Sequence, residues 1–355
     1  MRSIPTILLL FAWSVAAMPQ FPKGTSAPKS GGYMESLAKS MGLDPNGDIT
    51  SMVCETFSGK VSSGKLIGSM FGSPNGQGPD EQCMVDKSGG SGQYKAHYLS
   101  DPSLPDHTIY VPENPPPGKL PVIVWGNGFC MKAGTMFANF LNEVASHGFM
   151  IIANGPDKGA QLNGQTTYKE LIKSIDWVTK NPAAKKYGDI DVSKLAVAGQ
   201  SCGGLEAVSL SLTCEDCLRL TTAYFQYEAS HDPRVKMTAL FNSGYIQGST
   251  PTMMAKFKHP VAWFLGGPKD IAQKNGDLDY KNLPGTTPAI KGTIVVGHIG
   301  TYYQKYGGRM GKAAVAYFKW TMKEDLEAKK LFCSPQPDSD LVKAGFKFEA
   351  KSGMC

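Results

Sequence analysis

Gly199-Gln200-Ser201-Cys202-Gly203 is the stretch whose residue types and spacing can do chemistry. Before it, residues 195–198 (Leu-Ala-Val-Ala) form a short apolar run that reads as a buried strand. Helix-compatible residues resume after Gly204. A serine on a tight turn between strand and helix is a nucleophile elbow. The flanking glycines are required sterically, because the serine takes strained dihedrals and a Cβ two residues to either side would strike the neighbouring backbone. A serine hydroxyl is a weak nucleophile until a base takes its proton and a third group orients that base. The chemistry is therefore acyl transfer, and the rest of the chain has to supply an acid and a histidine.

Where a serine occupies such an elbow in an α/β-hydrolase, the acid and then the histidine follow it in the chain, each at the C-terminal end of a strand. After the apolar run 261–265 comes Gly266-Gly267-Pro268-Lys269-Asp270, and after 293–296 comes Gly297-His298. Ser201, Asp270 and His298 are thus the candidate triad, with Asp277 and Asp279 as reserve acids. His97 and His107 precede the serine, and His231-Asp232 sits in a loop before a strand. His147 ends a helix, where it can cap carbonyls, and His259 lies just before a strand. The oxyanion of a tetrahedral intermediate needs backbone N–H donors. Cys202 supplies one from the position after the nucleophile. The other belongs to the loop after the first buried strand, with Phe129 the leading candidate and Cys130 the next. A disulfide between Cys130 and Cys202 would tie the two donor loops together; the alternative is a pair of buried thiols. Neither cysteine is read as a nucleophile.

The elements that must carry these residues alternate. Strands are expected at 94–98 and 107–111, then a fully buried one at 120–125. A helix over 136–146, a strand at 149–153 and a helix over 167–179 lead to the elbow strand. Beyond the elbow helix come strands at 236–241, 261–265 and 292–296 and a helix over 313–323. Strand, helix, strand, helix with short connections predicts an α/β fold with a mostly parallel central sheet and helices on both faces.

At 355 residues the chain is long enough for one large α/β domain or for two domains. Its 36 basic and 30 acidic residues leave a charge of +6, spread without a basic run, which argues against nucleic acid as a partner. Residues 1–17 read as a signal peptide: Arg2, an apolar run over 7–15, then small residues ending at Ala17. That run is too short to span a bilayer, and no later one is long enough either, so a secreted, extracellular protein without a membrane span is expected. In that setting the eight cysteines allow up to four disulfides, with connectivity not fixed by sequence. Cys214 and Cys217 form a C-x-x-C, but no second pair or paired histidine accompanies them, so a metal site is not expected. Residues 18–92 form a Gly/Ser/Pro-rich extension, read as a structural appendage, in which a Cys54–Cys83 bridge would close a long loop. Residues 93–330 are read as the catalytic domain, and 331–355 as a C-terminal tail whose Cys333 and Cys355 are plausible partners. A monomer is expected.

Five blocks in order, Gly126-Asn127-Gly128-Phe129-Cys130, Val144-Ala145-Ser146-His147-Gly148-Phe149, Gly199-Gln200-Ser201-Cys202-Gly203-Gly204, Gly266-Gly267-Pro268-Lys269-Asp270-Ile271-Ala272 and Gly297-His298, resemble secreted α/β-hydrolases. The similarity is to the dienelactone-hydrolase and cutinase/poly(ethylene terephthalate)-hydrolase-like branch, and it spans about residues 94–330. At the elbow, polyester hydrolases of that type carry His or Trp, then Ser, then Met, where this chain has Gln200-Ser201-Cys202. The resemblance implies Ser201 as nucleophile, Asp270 as acid, His298 as base, and Phe129 and Cys202 as oxyanion donors. It implies a serine hydrolase acting on a small or polymeric carboxylic ester, with no metal or organic cofactor. Amide or peptide cleavage by the same triad, or a non-catalytic binding protein on a hydrolase scaffold, are the alternatives.

Overall fold

The computed structural model describes residues 49–57, 82–158, 161–213, 219–221, 226–228 and 230–355. The expected signal peptide, most of the 18–92 extension, and Cys214 and Cys217 lie outside the described residues. The described strands begin with β1 (Ala96–Asp101), β2 (Leu104–Pro112), β3 (Leu120–Gly126), β4 (Met131–Lys132), β5 (Met150–Asn154) and β6 (Gln161–Gln165). They continue with β7 (Ile190–Gln200), β8 (Arg219–Thr221), β9 (Gln226–Glu228), β10 (Met237–Phe241), β11 (Val261–Leu265), β12 (Ala289–Thr293) and β13 (Lys347–Ala350). The helices are α1 (Ile49–Phe57), α2 (Ala138–Ser146), α3 (Tyr168–Lys180), α4 (Cys202–Ser211) and α5 (Pro251–Met254). After them come α6 (Gln273–Asn282), α7 (Gly308–Lys323), α8 (Leu326–Cys333) and α9 (Asp340–Lys343).

Nine strands form one sheet in the order β1-β2-β5-β3-β7-β10-β11-β12-β13. The run from β5 to β12 is parallel, and antiparallel strands close both ends. Every residue of β3 is buried, yet its side chains still alternate between faces with the period of two that a strand imposes. Ile123 and Trp125 join the core that holds Phe140 of α2 and Tyr317 of α7. Val122 and Val124 join the opposite core, with Leu171 and Ile175 of α3 and Leu205 of α4. Helices thus cover both faces of the sheet. The start of α3 shows how local sequence sets an element. The Thr167 side chain caps the first turn and Glu170 reaches back to the Thr167 backbone, so two orphan N–H groups are satisfied at once. Its buried face is then Leu171, Ile175 and Val178.

One difference from the sequence expectation bears on the site. The strand expected at 292–296 is β12 at Ala289–Thr293. Pairing with β11 in the register Val261↔Ala289 to Leu265↔Thr293 fixes the earlier start. Residues 294–297 instead curl over the end of β11, with the Val296 and Gly297 N–H groups both donating to Gly266 O. Val295 is left 70% exposed. Within 331–355, β13 pairs antiparallel with β12 and forms the sheet edge.

Three disulfides are present, Cys54–Cys83, Cys130–Cys202 and Cys333–Cys355, and no described cysteine is free. The first anchors α1 to residue 83, where the chain begins to dock on the segment after His298. Met84 N–H donates to Tyr303 O, and Asn139 Nδ2 donates to both Met84 O and Gln304 O.

Candidate active site

Ser201 sits between β7 and α4 at φ 53°, ψ −117°, a conformation rarely adopted outside glycine. The turn fits only because its neighbours lack side chains. A Cβ on Gly203 would lie 2.0 Å from the carbonyl carbon of Gly126, and one on Gly199 would lie 2.3 Å from that of Gly203. Ser243 Oγ donates to Ser201 O (2.7 Å), and the Ser201 N–H donates to Phe241 O (3.0 Å). The backbone is thereby held while the hydroxyl points to the next group.

That group is His298, whose Nε2 lies 2.9 Å from Ser201 Oγ. Its Nδ1 lies 2.7 Å from Asp270 Oδ1. The structure therefore brings Ser201, His298 and Asp270 into one hydrogen-bonded chain, with His298 and Asp270 buried. Burial by itself would push the Asp270 carboxyl up. The hydrogen bond and charge of His298, with N–H donors from Gly266 (2.8 Å) and Ala272 (2.9 Å), hold it below its ordinary value. An Asp–His–Ser chain of this kind can take the proton from a hydroxyl and stabilise the resulting imidazolium.

Both reserve acids and three of the other histidines are engaged elsewhere. Asp277 pairs with Lys291 (2.8 Å), and Asp279, pushed up to about 6 by burial, accepts the Tyr245 N–H. His107 Nε2 meets Glu170 O, His147 Nε2 meets Glu143 Oε1, and His259 Nε2 meets Thr238 Oγ1. Among the described residues, no group of three or more His, Cys, Asp or Glu side chains could hold a metal ion.

Phe129 lies in a single 3-10 turn, Gly128–Cys130, at φ 57°. Cys130, the second candidate for the loop donor, already spends its N–H on Asn127 O (3.1 Å). Phe129, the leading candidate, stands in the same loop, which the Cys130–Cys202 bridge ties to Cys202 at the first position of α4.

Several supporting residues escaped the sequence reading. Asn242, just past β10 at φ 44°, donates from Nδ2 to Asp270 Oδ2 (2.7 Å) and Gly297 O (3.1 Å). Its Oδ1 accepts from the buried Tyr302 hydroxyl. Gln200 Nε2 donates to His298 O (3.0 Å). Asn127 Nδ2, with two hydrogens to donate, lies within 3.1 Å of three carbonyls, those of Met131, Ala133 and Asn154. The only sequence signal is Asn242 itself, an asparagine after a strand and two residues before a glycine, which tolerates positive φ.

Residues 87–227 match the family described as chlorophyllase. That span holds Phe129, Ser201 and Cys202 but ends before Asp270 and His298. No curated protein matches the chain. Among the described residues, no helix is long and apolar enough to cross a membrane. The mostly parallel sheet, with helices on both of its faces and three disulfides, is consistent with an α/β-hydrolase, and the family match supports that superfamily.

Proposed function

We propose that the chain is a secreted serine hydrolase that cleaves carboxylic esters through an acyl-enzyme. The observation that carries this reading is the continuous chain Ser201 Oγ, His298 Nε2, His298 Nδ1, Asp270 Oδ1, at 2.9 Å and 2.7 Å. Ser201 Oγ attacks the ester carbonyl as His298 takes its proton, and Asp270 holds the imidazolium that forms. The Phe129 and Cys202 N–H groups stabilise the oxyanion. On collapse, His298 gives its proton to the departing alcohol. It then deprotonates a water that attacks the acyl-enzyme and restores Ser201. No step needs a metal or an organic cofactor. The name of the matched family makes chlorophyll one ester to try, and the resemblance of the five sequence blocks to polyester hydrolases makes aliphatic polyesters another. Disulfides in an exported chain support the extracellular setting.

The purified mature protein is expected to turn over short-chain p-nitrophenyl esters and to be labelled by a fluorophosphonate at Ser201. Ser201→Ala and His298→Ala are each expected to lower kcat/KM by about 10⁴-fold or more, while His231→Ala leaves it unchanged. A folded Ser201→Ala protein that is still labelled or still active overturns the assignment.

A further inference from the structure

Behind the oxyanion loop lies a carboxyl that the proposed chemistry does not use. Glu206 is fully buried on α4, one helical turn after Cys202 and therefore on the same face. Its Oε2 accepts from Asn154 Nδ2 (3.0 Å), and its Oε1 lies 2.8 Å from Thr166 Oγ1. Both partners grip the loop that contains Phe129. Thr166 N–H donates to Cys130 O (2.7 Å), and Thr166 Oγ1 lies 3.2 Å from the same carbonyl. Asn154 O accepts from Asn127 Nδ2 (2.6 Å), and Asn127 Oδ1 accepts from Trp125 Nε1 (3.1 Å). Asn127 and Cys130 are thus fixed on either side of Phe129, whose positive φ sets where its peptide N–H points.

Resting on the reading of Phe129 as an oxyanion donor, we propose that Glu206 is a positioning residue. Through Thr166 and Asn154 it holds the 127–131 loop in the one arrangement that presents the Phe129 N–H to the oxyanion.

The hydrogen count supports a neutral carboxyl in this role. A protonated Glu206 donates to Thr166 Oγ1, whose own hydrogen then goes to Cys130 O, while the second carboxyl oxygen accepts from Asn154. The carboxyl and hydroxyl hydrogens are each used once. A carboxylate would instead draw the Thr166 hydrogen away from Cys130. Burial pushes Glu206 up to about 8, and the charge of Glu170 at the start of α3 pushes it the same way.

The test is steady-state kinetics on a short-chain p-nitrophenyl ester with two disrupting variants, Glu206→Met and Thr166→Val, and two restoring ones, Glu206→Gln and Thr166→Ser. The disrupting variants are expected to lower kcat about tenfold, less than the loss of an oxyanion donor itself, with KM within about twofold of wild type. Gln reproduces the donor and acceptor of the neutral carboxyl and Ser keeps the hydroxyl, so both are expected to recover most of kcat. If Glu206→Met does not fold, Thr166→Val, which keeps shape and loses only the hydroxyl, decides alone. Wild-type kcat in folded Thr166→Val, or an equal loss in Glu206→Gln and Glu206→Met, overturns the proposal and leaves the serine-hydrolase reading standing. A wild-type protein that neither turns over ester nor reacts with fluorophosphonate overturns both.

Discussion

Ser201 and Glu206 are five residues apart, and each is costly to keep where it is. The serine holds a strained backbone, and the glutamate buries a carboxyl that water would otherwise solvate. For Glu206 the cost depends on pH. In the unfolded chain its carboxyl loses its proton near 4.5, in the folded chain only near 8. Between those values the folded protein binds the extra proton, so this group's contribution to stability is greatest below about 4.5. It falls steadily as pH rises to about 8 and is flat beyond. Glu206→Gln has no proton to lose. The melting temperature of Glu206→Gln relative to wild type is therefore expected to climb between pH 5 and pH 9, as measured by thermal scans in matched buffers. A constant difference across that range would mean that Glu206 is ionised throughout. At this scale the sequence is readable only in part. Asp270 and His298 stand out because glycines flank them at strand ends, in the order that a serine at an elbow demands. Glu206, Asn242 and Tyr302 carry no such mark, because their roles depend on what faces them across the sheet, and that is not local.

The 127–131 loop and α4 meet at one covalent joint, Cys130–Cys202, which links positions 72 residues apart. A closure of that length restricts the unfolded chain enough to contribute about 4 kcal/mol by chain entropy. It also ties together the two loops whose peptides the proposed mechanism uses. The double variant Cys130→Ala/Cys202→Ala is expected to lose about that much stability in urea unfolding and to lose kcat as well. A double variant with unchanged urea midpoint and unchanged kcat would show the bridge to be idle. Both cysteines are visible in the sequence beside the donor loops, but sequence could not choose between a bridge and two thiols, since that depends on a distance. Element identity was easier to read than element ends. The buried strands 120–125 and 261–265 are continuous apolar runs bounded by breakers and agree with β3 and β11 nearly residue for residue. The run 292–296 misled because Ile294-Val295-Val296 has ideal strand composition, yet sheet register places Lys291 inside β12. Lys291 is tolerated there because Asp277 and Glu349 both pair with it at 2.8 Å.

Over the whole molecule, the sheet must end somewhere beyond the strand that leads to His298, and an uncovered β12 would leave its hydrogen-bonding groups open to another chain. β13 covers that edge. Its own outward positions, Lys347 and Glu349, are charged and exposed, which discourages further pairing. What holds β13 in place is an aromatic cluster centred on Phe332 of α8. That ring is 3% exposed and packs on Phe348 (5.0 Å), Trp320 (5.5 Å), Tyr317 (6.3 Å) and Phe264 of β11 (6.4 Å). The Cys333–Cys355 bridge closes the same segment from the next residue. Removing the ring leaves a cavity where α8, β11 and β13 meet, and Phe332→Ala is expected to cost about 4 kcal/mol. None of its ring partners is Ser201, His298 or Asp270, so kcat on a p-nitrophenyl ester at 20 °C is expected to stay within about twofold of wild type. A large drop in melting temperature with retained kcat would separate the end of the sheet, as a stability device, from the triad. A matching loss of kcat in folded protein would mean instead that the edge strand transmits its order through β12 to His298.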